Sequence, residues 1–180
     1  MGRVYQRSVL LVVVATILTM GAARSSTAQR SATFDKLQPL AFLAGSCWKG
    51  TFAGRPVTDE HCFAWVYGGR FLRDHHVVRG DSLPYEGETT YAWDAIQERI
   101  VYWYIALPGF YTQGNVDASD GALLFRDTRV THSPRQMRTT WRRSGADEYS
   151  VLVEEVTNGN SKELWSMVMR RSKPAGSALP

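Results

Sequence analysis

The chain has 180 residues, of which 44% are hydrophobic and 12% aromatic, enough for one domain with a sizeable core. Its formal charge of +4 and pI near 9.2 suggest a polyanion partner only until the first 28 residues are set aside as a leader. Without Arg3, Arg7 and Arg24 the balance is 18 basic against 17 acidic residues of interspersed sign, which excludes a phosphate-binding stripe and with it nucleic acid.

In Met1 to Ala28, Arg3 and Arg7 precede an apolar run from Val9 to Met20 and then small residues, the pattern of a secretory signal peptide. Ser26-Thr27-Ala28 offers a small-x-small cut, with Ala23 as the alternative. The apolar run is shorter than the roughly 20 residues of a membrane helix, and no cysteine follows it to carry a lipid. The expectation is a soluble periplasmic or secreted protein with no stable membrane anchor. One domain is expected over residues 29 to 171, and residues 172 to 180, ending in KPAGSALP, read as a flexible tail.

Phe34 to Leu43 (FDKLQPLAFL) has apolar residues spaced for a short N-terminal helix, interrupted or started by Pro39 and ended by Gly45. From Cys47 onward, short runs rich in Val, Thr, Tyr, Phe and Trp alternate with Gly, Pro, Asp and Asn clusters, which predicts an all-β fold of about ten strands. They fall near 47–53, 57–67, 70–79, 85–94, 98–106, 111–117, 121–130, 136–143, 147–156 and 162–171. Connections such as Gly68-Gly69, Ser119-Asp120-Gly121 and Asn158-Gly159-Asn160 are short, so the strands predict an antiparallel up-and-down meander. Closure into a barrel removes the two exposed edges; a two-sheet sandwich is the competing solution, but it needs a long crossing connection.

The first hairpin carries the most information. With Ala53 to Pro56 as its turn, Trp48 faces His61 and Cys47 faces Cys62, at a Cα separation of about 4.5 to 5.5 Å, within disulfide reach. In an exported protein, pairing is the favoured state of Cys47 and Cys62. The same register puts Trp48, Gly50, Phe52, Val57, Asp59, His61, Phe63 and Trp65 on one bulky face, taken as the interior. Extension across Gly68-Gly69 pairs Phe63 with Asp74 and His61 with His76, giving an inward polar group of Asp59, His61, Asp74 and His76. Two imidazoles and two carboxyls suit a divalent metal, an acid/base pair tuned by burial, or a satisfied polar network near a barrel mouth. A bulge in the third strand would instead turn Arg73 and His75 inward.

Gly45-Ser46-Cys47-Trp48, after a helical segment, resembles the Gly-x-Trp opening of lipocalin-like (calycin) barrels with the spacing displaced by one residue. Arg170 or Arg171 sits where those proteins place an arginine across the tryptophan. FLAGSCWKG, EHCFAWVYGGRFLRDHH and YEGETTYAWDAIQERIVYWY resemble uncharacterised bacterial lipocalin-like domains that begin FLxGxWxG and carry GGRFL. The resemblance implies the barrel fold and supplies no activity.

The leading functional expectation is an exported barrel binding a small, largely apolar or aromatic molecule. Tyr91, Trp93 and Trp103 with Trp65 would form its wall, and His61, His76 and Arg73 or Asp74 would orient it. The rival is a hydrolase- or isomerase-like enzyme using Asp59, His61, Asp74 and His76, with or without a metal; a third reading is a partner-binding barrel with a filled core. Tyr102, Trp103 and Tyr104 must split between faces, so an outward aromatic is either covered by the N-terminal segment or marks an association surface, such as that of a homodimer. No GxSxG, HExxH, Walker or GxGxxG pattern is present, and no cofactor is specified.

Overall fold

Leu37, Leu40 and Leu43 recur every third residue and all three are fully buried, the spacing of a 3₁₀ turn rather than of an α-helix. The computed structural model describes residues 35–80, 82, 85–131 and 133–172; the predicted leader and residues 173–180 of the tail lie outside the described residues. Among the described residues Asp35 and Lys36 have helical backbone, and from Gln38 onward the expected helix over 34–43 is replaced by a 3₁₀ element, Gln38–Leu40, continued by i→i+3 bonds such as Leu43 N to Leu40 O. Pro39, which has no N–H to donate, stands in the first turn of this element, where that N–H would have no intrahelical partner.

Ten strands follow: β1 (Ser46–Thr51), β2 (Thr58–Val66), β3 (Phe71–Arg79), β4 (Tyr85–Asp94), β5 (Arg99–Ala106), β6 (Phe110–Ser119), β7 (Ala122–Val130), β8 (Gln136–Arg143), β9 (Glu148–Thr157) and β10 (Asn160–Ser172). Each pairs antiparallel with its sequence neighbour, and β1 pairs with β10, so the meander closes into a barrel with no free edge. The turn chemistry drives this local pairing. Asp120-Gly121 and Asn158-Gly159 both adopt positive φ and join directly paired Ser119 to Ala122 and Thr157 to Asn160, the primed geometry whose twist suits a hairpin.

The register of the first hairpins is as expected. Trp48 faces His61, Cys47 faces Cys62, and His61 faces His76. The disulfide Cys47–Cys62 is formed, with a Cα separation of 4.0 Å. It lies on the strand face opposite Trp48 and His61, yet Cys47 is fully buried.

One end of the barrel is plugged. Trp48, Tyr149, Phe42 and the three leucines of the 3₁₀ segment pack there, with the Trp48 and Tyr149 ring centroids 5.1 Å apart. Of the two arginines considered, Arg171 is the one over Trp48, its guanidinium carbon 4.4 Å from the ring centroid. It donates to Asp147 Oδ1 at 2.7 Å, to the Ala146 carbonyl at 3.0 Å, to the Phe42 carbonyl at 3.4 Å and to Ser46 Oγ. Trp48 Nε1 donates to the Leu43 carbonyl at 3.2 Å. Arg171 thus ties β1 and β10 to the plug. Among the described residues no helix is long and apolar enough to cross a membrane.

Candidate functional site

Beyond the plug the barrel encloses a cavity of about 810 Å³. Its apolar lining comes from inward positions on most of the strands, among them Tyr91, Phe110, Phe125, Trp141, Val153 and Trp165. The polar lining is concentrated on β2, β3 and their neighbours, where strict alternation directs Asp59 and His61 on β2 and Asp74 and His76 on β3 to the inside. The β2–β3 register runs without a bulge, so the alternative that turned Arg73 and His75 inward does not occur.

These side chains form one hydrogen-bonded chain. His61 Nδ1 lies 2.8 Å from Asp74 Oδ2, and its Nε2 lies 3.2 Å from Asp59 Oδ2. His76 Nδ1 lies 3.1 Å from Asp59 Oδ1, and its Nε2 lies 2.9 Å from the Tyr104 hydroxyl. The chain ends with the Tyr104 and Tyr85 hydroxyls 2.7 Å apart. Because a carboxylate only accepts, both ring nitrogens of His61 must donate, which makes it an imidazolium. Burial works against that charge, but the flanking Asp74 and Asp59 carboxylates outweigh it and raise the imidazole to about 10. Burial alone would raise Asp59; the charge and hydrogen bonds of His61, with the bond from His76, hold its carboxyl well below the usual range. Tyr104 and Tyr85 are held protonated by burial, which raises both phenols.

The other expected site residues divide. Tyr91 lines the cavity and is buried. Trp65 and Trp93 are half-buried against the apolar core and do not line the cavity; Lys36 Nζ lies 5.0 Å from the Trp93 ring centroid. Arg73 and Trp103 are corrections. Both occupy outward positions, Arg73 between inward Leu72 and Asp74, and Trp103, 41% exposed, between Tyr102 and Tyr104. In each case an uninterrupted two-residue alternation sends the side chain away from the cavity.

Sequence reasoning missed the tyrosine end of the chain and the pair formed by Tyr102, whose hydroxyl donates to Asp127 Oδ1. Gly87 was the available signal. It sits opposite His76 in β4, and a methyl there would lie 2.5 Å from the Tyr104 ring and 2.8 Å from His76 Nε2. A glycine inside a strand often marks such a close approach; here it makes room for the bond between histidine and tyrosine.

Comparison of the chain with protein-family models gives no match, and comparison with curated proteins gives none.

Proposed function

We propose that the protein is an exported, lipocalin-like barrel that holds one small, largely apolar or aromatic molecule. The observation that carries this reading is the cavity of about 810 Å³ with an aromatic wall and a localised polar row. Its size falls in the range of about 300–1,000 Å³ typical of small-molecule sites, and a few convergent polar groups on an apolar wall are what orient a ligand. His76, Tyr104 and Tyr85 supply donors and acceptors, and Arg55 near Phe52 adds a cation to the lining. The apolar body of the ligand would rest on Phe125, Trp141 and Val153.

Titration with the neutral fluorophore N-phenyl-1-naphthylamine tests this reading. Saturable binding of one equivalent is expected, with quenching of tryptophan emission. Val153→Trp, which narrows the cavity at the wall where the apolar body would rest, should weaken it in a folded barrel. Probe binding that is absent, or unchanged in a folded Val153→Trp protein, would overturn the reading. Mass spectrometry of organic molecules co-purifying with the protein then addresses ligand identity.

A second reading is favoured by the chain Asp59–His76–Tyr104, since carboxylate, imidazole and phenol in series are equipped to relay a proton to a bound molecule. On that reading the barrel is an acid/base hydrolase or isomerase. Turnover, rather than unchanged release, of the co-purified molecule distinguishes it from a binder.

A further inference from the structure

We propose that Asp59, His61 and His76 form a three-ligand site for one divalent transition-metal ion, with its remaining coordination positions turned to the cavity. One donor atom from each residue can be chosen so that all lie within 4.8 Å of one another. Asp59 offers a different oxygen to each ring, Oδ2 at 3.2 Å from His61 Nε2 and Oδ1 at 3.1 Å from His76 Nδ1, and each pair falls within the roughly 3.0–3.4 Å between donors that share a metal at about 2.1 Å. The two imidazole centroids lie 4.6 Å apart.

The atoms on the far sides of the two rings make the stronger argument. A metal-bound histidine is generally oriented by a partner on its other ring nitrogen. His61 has Asp74 at 2.8 Å on Nδ1, and His76 has the Tyr104 hydroxyl at 2.9 Å on Nε2. Both remaining nitrogens face Asp59. The Tyr104–Tyr85 hydrogen bond can run in either direction, so Tyr104 can accept from His76 Nε2 and leave the Nδ1 lone pair for the ion.

Charge points the same way. Asp59 and Asp74 bring two carboxyl groups into one buried patch, and Asp74 Oδ1 is buried without a hydrogen-bond partner among the described residues. A dication that displaces the His61 Nε2 proton offsets both charges, where the imidazolium offsets one. Two imidazoles and one carboxylate suit zinc, iron(II) or cobalt(II) better than calcium or magnesium, which take oxygen donors. All three ligand residues line the cavity, so an oxygen or nitrogen of a bound molecule can complete the coordination. The site does not depend on the proposed organic ligand.

The test uses untagged protein stripped with a chelator and reloaded with Zn²⁺ or Co²⁺ alone. One tightly held ion per chain is expected by elemental analysis, and X-ray absorption at the metal edge should report two imidazoles and one carboxylate. His76→Gln and Asp59→Asn should weaken binding by more than the roughly 10–100-fold that loss of an outer partner costs, and Asp74→Asn or Tyr104→Phe by about that amount. His75→Gln, on the outer face beside Glu86, should bind as the parent does. Substoichiometric uptake, an absorption spectrum without two imidazoles, or equal binding by folded His76→Gln and Asp59→Asn would overturn the proposal. The spectrum of the parent protein decides even where a variant does not fold. A failed metal titration leaves binding of the neutral fluorophore intact, and the reverse also holds.

Discussion

The plugged end of the barrel and the polar wall of its cavity share the β1–β2 hairpin, yet they solve opposite problems. At the plug, Trp48, Tyr149, Phe42 and three leucines fill the space, and Arg171 closes the rim over the Trp48 ring. At the wall, Asp59, His61, Asp74 and His76 are nearly as buried, but they pair with one another, Asp74 Oδ1 excepted among the described residues, and leave space beside them. Packing stabilises the first region. The second carries desolvation costs that only its internal pairing offsets. The barrel therefore concentrates apolar packing at one end and its paired titratable groups along the cavity.

The largest expected break in this contrast is Trp48→Ala, which should lower unfolding free energy by about 3–5 kcal/mol in denaturant melts while the proposed metal ligands keep their places. Next, reduction of Cys47–Cys62, which closes a loop with a sequence separation of 15, should cost about 3 kcal/mol on the chain-entropy model; comparison of oxidised and reduced melts measures it. Gly87→Ala should cost about 1–3 kcal/mol by overpacking and, by separating His76 from Tyr104, should weaken Co²⁺ uptake as Tyr104→Phe does. Trp103→Ala, on the outer face, should change stability by less than about 0.5 kcal/mol and leave fluorophore binding unaltered.

The polar wall should also respond to pH in the metal-free protein. His61 is raised from 6.5 to about 10, so its contribution is fully present below about 6.5 and is lost as the pH rises through about 10. Asp59 is depressed below its ordinary 3.8, so its contribution is present above that value and is lost as the pH falls through its folded-state value. Melting temperatures followed across pH should therefore decline on both sides of a plateau between about 4 and 6.5. In His61→Gln the alkaline limb from this imidazole should vanish.

Much of this architecture was legible because β-hairpins are local objects. A turn centred between Gly68 and Gly69 pairs His61 with His76, and a turn over 53–56 pairs Cys47 with Cys62; counting outward by twos then assigns every side chain a face. The same arithmetic sends Trp103 outward, and it turns Arg73 inward only through a bulge in β3 that the register does not contain. The N-terminal segment differs for another reason: its leucines recur every third residue, and i→i+3 bonds carry the chain from Leu37 to Ala44.

The sequence by itself determined the strands, the first registers, the disulfide and the shared face of Asp59, His61, Asp74 and His76, since each follows from turn chemistry and a two-residue period over short distances. Tertiary structure alone decided the register in which β1 meets β10, that Arg171 rather than Arg170 covers Trp48, and that Tyr104 reaches His76 past Gly87. It also decided that the inward faces leave about 810 Å³ unfilled. These features depend on closure and on the summed volumes of side chains from all around the barrel, which no local pattern contains.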